Sequence, residues 1–424
     1  MLNMIVNGKY LIKALFKTIG LFGVLLFVSG YSNAQSVLKD GIWRGELQRA
    51  DGQQVVFNFS VSDSDSRTVI YIFNAEEHLR VDKIETKGDS VFIQMPFFDS
   101  YFALKNINGN KLTGIWTKNY GTRLERMPFM AIYGDSSRME SYKPSRVDVS
   151  GSWATKVGHG KQGFSAIGLF KQNGIRVKGT FLTPSGDYRF LDGVMSGDTL
   201  KLSGFDGGHA LLFTAIADGD SLVDGKMYSI NSESAAWAAA REVYKILPAA
   251  YDIDNIKPGS VKLNFKLKDM RNDKVVSLND PKYKDKVVIL QLLGSWCPNC
   301  YDETPFLIDY YKKNRQRGVE LIAVDFERTE NYAESKRTMN AFLNRFDFEY
   351  PVVFSGVAAT DTALTQKVFP GLPVEIKAFP SLIFIDKSGF VRKVHSGFNG
   401  PATGIYYDEF KEEFDSIINS LLRE

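Results

Sequence analysis

The chain has only two cysteines in 424 residues, Cys297 and Cys300, and both stand in the run GSWCPNC at 294–300. A single C-x-x-C closes one small ring. That suits thiol–disulfide exchange better than a disulfide scaffold. Residues 286–293 (KVVILQLL) read as a buried strand that stops at Gly294. Residues 304–316 can continue a helix after the cysteines, with Pro305 in its first turn or at a kink. A helix N-terminus carries free N–H groups and partial positive charge, which favour a thiolate. Cys297, first and more exposed, is then the attacking nucleophile, and Cys300, about one turn on, resolves the mixed disulfide. Pro298 fits an early helical position, where a missing N–H costs nothing. Trp296 shields one side of the pair. Glu303 shares nearly the same helical face as Cys300, where a carboxylate can move protons or hold the thiol pKa up. Two blander readings stand beside this one. A half metal site would need partners from His78, His159, His209 and His395, which are scattered. A purely structural disulfide is the other. The expected cofactor list is empty apart from a redox-active Cys297–Cys300 disulfide, and no metal is expected.

Some eighty residues on, 376–391 (IKAFPSLIFIDKSGFV) read as a turn, a strand, a tight turn and another strand. Taken alone, Pro380 is an ordinary trans proline opening an edge strand. In their motifs, residues 258–424 resemble the TlpA/ResA group of thioredoxin-like disulfide reductases. The matching runs are VVILQLLGSWCPNCYDETPFL, GVELIAVDFE and IKAFPSLIFIDKSGFVRKVHSGFNGPATG. The last, with GFNGPATG at 397–404, resembles cell-envelope versions from Bacteroidetes. The resemblance implies a C-terminal α/β thioredoxin fold, with an inserted element that residues 331–370 can supply. It implies that Cys297 and Cys300 are the redox pair, Glu303 the active-site acid and Pro380 a cis proline. Trp296, Phe379 and Pro380 would line the client groove. Gln291 stands where thioredoxin keeps a buried acid. The Pro298-Asn299 dipeptide differs from that of several relatives, so a reduction potential does not carry over.

The N-terminus points to export. Lys9, Lys13 and Lys17 precede an apolar run at 19–28, and Ser32-Asn33-Ala34 offers small residues for cleavage before Gln35. The apolar run is short for a membrane span of about 20 residues. A cleaved signal peptide at 1–34, a periplasmic location and a mature chain that is not an integral membrane protein are expected. An uncleaved anchor is the alternative. The formal charge of +3 equals the three signal lysines, which no signal acid opposes, so the remainder is neutral. Nucleic acid is therefore not an expected partner. With 24% charged and 44% hydrophobic residues, an ordinary globular chain of two or three domains is expected rather than a disordered one.

Between signal and redox domain, short alternating segments are punctuated by Gly-Asp, Asn-Gly and Asp-Gly turns. This is antiparallel β, a sandwich or barrel. It is duplicated in pattern: GIW at 41 answers GSW at 151, GDSV at 88 answers GDTL at 197, and NGNKL at 108 answers DGDSL at 218. The offsets are 109 or 110 residues. The expected division is 35–145 for the first repeat and 146–232 for the second. A connecting helix and linker follow at 233–257, the helix read from the alanine-rich composition of 234–244. The redox domain is 258–424. The Gly-x-Trp starts also invite a lipocalin-like, ligand-holding barrel, although a tryptophan opening a strand is more often a core plug. The aromatic run at 95–102 reads as packed sheet or, alternatively, as a client-groove wall.

The expected function is a periplasmic thiol–disulfide oxidoreductase that reduces disulfides of client proteins. An external membrane thiol donor would restore it, because no flavin or nicotinamide fingerprint is present. A disulfide oxidant or isomerase on the same fold is the first alternative. A β-domain binding module carried on a thioredoxin-like scaffold is the second. A peroxidase is disfavoured because Gly294 holds the position three before Cys297. Apocytochrome c is a client that the resemblance implies.

Overall fold

A computed structural model describes residues 38–424 apart from 65–66, 122, 140–142, 159–162, 243–255 and 258. The expected signal segment, His159 and most of the expected linker lie outside the described residues.

Residues 41–133 form nine antiparallel strands, each hydrogen-bonded to its neighbour in sequence except at one seam. The first strand, Gly41–Gln48, also pairs with the last, Leu124–Tyr133, so the meander curls back on itself. It stays open only between its edge strands Glu77–Val81 and Lys83–Lys87. Residues 151–241 repeat the plan. Gly151–Val157 pairs with both Phe164–Asn173 and the last strand, Ala235–Arg241. Phe164–Asn173 pairs in turn with Arg176–Thr183, which closes an eight-stranded ring. A two-residue strand, Gly186–Asp187, hangs from Arg176–Thr183 as a hairpin tip. Closure of this kind removes exposed edges.

The matched tryptophans explain the duplicated pattern. Trp43 and Trp153 are both fully buried, and each indole N–H donates to the carbonyl four residues earlier, at Lys39 (3.0 Å) and Val149 (2.8 Å). Each plugs one end of its barrel while its polar atom is satisfied. Side chains fill the first barrel's interior and leave about 20 Å³ among Phe57, Phe59, Ile93 and Phe102. That is too small for a lipocalin-type ligand.

One expectation is overturned. Residues 235–241 are a strand, not a helix. Trp237 and Ala239 are buried and Ala236, Ala238 and Ala240 are not, which is the two-residue period of a half-buried strand. Pairing with Gly151–Val157 and Ser221–Ser229 completes the second barrel, and that tertiary gain outweighs alanine's helical preference.

The C-terminal part is a seven-stranded sheet flanked by helices. Its central strand, Val287–Leu293, is buried at all seven positions. It runs parallel to Val319–Asp325 and antiparallel to Ser381–Ile385. Alternate residues serve two cores. Val287, Ile289 and Leu293 pack with Phe410, Phe414 and Ile418 of helix α4 (Ile405–Arg423). Val288, Leu290 and Leu292 pack on the other face with Val357 and Phe369. Helix α1 (Pro298–Asn314) follows the central strand. Helix α2 (Tyr332–Arg345), the strand Val352–Phe354 and helix α3 (Leu364–Val368) make up the expected insertion. The first core is continuous with the first barrel, so Phe97 and Phe98 pack in one cluster with Tyr301 and Cys300.

Candidate active site

The central strand delivers the chain to a tight turn at Gly294. A side chain there would collide, since a Cβ would lie 2.3 Å from the Trp296 indole nitrogen and 2.7 Å from the Phe326 carbonyl oxygen. Trp296 donates to that same carbonyl (2.9 Å), and Ser295 N–H donates to a Glu327 carboxylate oxygen (2.9 Å). The turn is thereby held from the neighbouring strand end, and it presents Cys297 as the N-cap of α1. Pro298 takes the first helical position. The Cys297 sulfur accepts from the Cys300 N–H (3.3 Å) and donates to the Phe379 carbonyl oxygen (3.4 Å). The Phe379–Pro380 bond is cis. Both cysteines are free thiols. The structure thus brings Cys297, Cys300, Trp296, Phe379 and Pro380 together, with the Trp296 and Phe379 rings edge-to-face at 5.6 Å.

Beneath them lies a buried polar row. Gln291 donates to Glu303 (3.0 Å) and to the Thr304 hydroxyl (3.1 Å), and accepts from the Tyr350 hydroxyl (3.3 Å). Glu303 is fully buried, and its second carboxylate oxygen has no partner among the described residues. Burial pushes its pKa up to about 8, against the lowering effect of Gln291. Burial, then the Cys297 sulfur, then Glu303 push the Cys300 thiol well above its ordinary value. A second acidic pair stands at the adjacent strand end. Burial and then Glu327 push Asp325 well up, and burial raises Glu327. Sequence reasoning passed over this pair, although both residues lie in the GVELIAVDFE run used to assign the fold.

Cys297 is the more exposed of the pair, as expected, but only narrowly: it is 3% exposed and Cys300 is fully buried. The cover comes from the β region. Phe97 packs at a tilt against Tyr301 at 3.8 Å between ring centroids, and Phe98 follows at 6.3 Å. In the aromatic run at 95–102, Met95 and Phe102 face the first barrel's interior, while Phe97 and Phe98 pack on Tyr301 of the active-site helix. Arg328 sits over both the Trp296 ring (5.0 Å) and the Tyr120 ring of the first barrel (5.1 Å). Arg189 of the second barrel reaches Asp302 with two hydrogen bonds (2.7 and 2.8 Å). Arg189 and Asp302 are 113 residues apart, and no local sequence signal joins them.

His78 packs on Phe73, His209 contacts Asp206 (3.1 Å) and His395 packs on Phe410. Among the described residues no group of three or more His, Cys, Asp or Glu is placed to hold a metal.

Residues 257–408 match the Redoxin family model. Thiol-disulfide oxidoreductase ResA of Bacillus subtilis (strain 168) is 31% identical over 144 residues, covering 34% of this chain and 70% of that protein. The chain belongs to the ResA/TlpA-type thiol-disulfide oxidoreductases. A ResA from Halalkalibacterium halodurans is 28% identical and covers 38% of this chain and 77% of its own length. A crystal structure of a thiol:disulfide interchange protein of the thioredoxin family from Chlorobium tepidum TLS overlays at TM-score 0.28 and 22% identity. It covers 38% of this chain and 96% of that one. The ResA-type match lies in the C-terminal part, and the protein is a protein-disulfide oxidoreductase. The two barrels lie outside the residues that match the family model.

Proposed function

We propose that the protein is an exported, periplasmic reductase of client protein disulfides, acting through Cys297 and Cys300 and restored by a membrane thiol donor outside the chain. The observation that carries this reading is the Cys297 sulfur at the N-terminus of α1, taking the Cys300 N–H while facing the Phe379 carbonyl. Cys297, as thiolate, attacks one sulfur of a client disulfide and forms a mixed disulfide, and the first client thiolate leaves. Cys300 gives up its proton and attacks the Cys297 sulfur. The second client thiolate leaves, and two electrons have passed from the protein to the client. In this reading Glu303 takes the Cys300 proton in its ionised minority form, which a pKa of about 8 leaves available near working pH. The reducing direction follows the resemblance to the TlpA/ResA disulfide reductases, and the reduction potential of the pair tests it.

The division we propose is a signal segment at 1–34, two β units and a redox domain from about 258, with the second unit carried through Arg241. Among the described residues no helix is long and apolar enough to cross a membrane. The test is trapping. The full chain with Cys300→Ser, expressed with its native leader, should accumulate mixed disulfides with envelope proteins that dithiothreitol releases. An empty trap beside an active wild-type protein refutes the client reading.

A further inference from the structure

Exchange requires the client's sulfur to meet Cys297, which is 3% exposed. The hairpin tip of the second barrel lies against the motif. In the amide orientation that satisfies both its polar atoms, Asn299 donates to the Asp187 carbonyl oxygen (3.0 Å) and accepts from the Asp187 N–H (2.8 Å). That is how two extended chains pair, and it reads no side chain. The Asp187 carboxylate accepts from Gly400 N–H (2.7 Å). Gly397 lets the Ser185 backbone lie so near that a Cβ on Gly397 would be 2.9 Å from the Ser185 carbonyl carbon. Gly397 also donates to the Pro380 carbonyl oxygen (2.8 Å), so this surface adjoins the Phe379–Pro380 side of the dithiol. Two residues past Asp187, Arg189 turns down onto Asp302 and is met by Asp206 of its own barrel (3.2 Å) and by Glu77 of the first barrel. All four side chains are at most 16% exposed.

We propose that Asn299, Asp302 and 397–400 form the docking surface for an extended client chain, and that residues 185–189 occupy it in cis, so that a client enters by displacing them. The surface fits a segment with a glycine or other small residue against Asn299. It also fits a carboxylate one residue on for the Gly400 N–H, and an arginine two residues further for Asp302. The inference rests on the exchange reading given above.

The experiment uses the full chain with Cys300→Ser, so that only Cys297 reacts, and compares iodoacetamide with bulky maleimide–polyethylene glycol. With the hairpin seated, the bulky reagent must wait for local opening. It should lag the small one by roughly tenfold or more beyond their ratio on the denatured chain. Gly186→Val unseats the tip, because Gly186 has φ +138° and its Cβ would lie 1.7 Å from the end of the Asn299 side-chain amide. Asp302→Asn removes the Arg189 partner from the other side. Either variant should bring the ratio to the denatured value. On the Gly186→Val chain, which keeps Asn299, Asp302 and 397–400, a synthetic Thr-Pro-Ser-Gly-Asp-Tyr-Arg peptide should restore the lag where a scrambled one does not. A ratio with the hairpin unaltered equal to the denatured one overturns the proposal whether or not the variants fold. An opened Gly186→Val chain that the peptide fails to protect overturns the docking surface. Alkylation as expected with no insulin reduction by the chain that keeps both cysteines, by contrast, fails the functional reading alone.

Discussion

Glu303→Gln probes the buried acid through the dependence of stability on pH. The Glu303 pKa rises from 4.5 to about 8 on folding because the carboxyl is fully buried, and one of its oxygens has no partner among the described residues. Between those values the folded protein keeps a proton that the unfolded chain has released. The folded state therefore binds more protons, and stability falls as pH rises through that window. Each unit costs about 1.4 kcal/mol, so the loss from pH 5 to pH 7 attributable to this group is about 2–3 kcal/mol. Glutamine keeps an acceptor for the Gln291 amide (3.0 Å) and cannot ionise. The assay is chemical denaturation of the reduced wild type and variant at pH 5, 6 and 7, following the redox domain. The variant should gain on the wild type at each step, by about 2–3 kcal/mol in all. Parallel curves would refute the claim that Glu303 is held protonated by burial. The same variant should alter the pH dependence of thiol alkylation, since Glu303 also raises Cys300.

Cys297→Ser should abolish reduction of insulin by dithiothreitol, and retained turnover would remove it as nucleophile. Trp43→Ala and Trp153→Ala, at equivalent plugs, should each cost about 3–5 kcal/mol in urea unfolding. A cost under about 1 kcal/mol at either position would contradict the plug assignment. Arg138 is 2% exposed and ties the barrels together, donating to the Phe73 carbonyl of the first (2.6 Å) and the Ser203 carbonyl of the second (3.0 Å). Arg138→Met should leave those acceptors unpaired, cost about 1–3 kcal/mol and split barrel unfolding into two transitions. A single transition of unchanged midpoint would argue against that role.

The parts of the site written locally were legible. The C-x-x-C after an apolar run, Gly294 before it and Glu303 one turn beyond are all fixed by one strand, one turn and one helix. Phe379 and Pro380 lie 82 and 83 residues from Cys297 and became legible through the family's motif rather than through spacing. The barrel duplication was legible because Trp43 and Trp153 must fill the same plug. The misread strand shows how a local rule can hide a longer one. Alanine at 235–240 speaks for helix, yet adding the 110-residue repeat offset to Leu124–Tyr133 lands on 234–243, over the closing strand of the second barrel. The cover over the dithiol was not legible. Arg189, Asp206, Glu77 and Asp302 come from three folded units, and each alone is an unremarkable charge. Only their burial together makes one site.

The measurement that bears most directly on a reducing dithiol is the equilibrium reduction potential of the Cys297–Cys300 couple in the full chain, in dithiothreitol and glutathione buffers. A value near or below roughly −270 mV is what the reductase reading predicts. A value toward about −120 mV would make the protein an oxidant and contradict the proposed reducing direction.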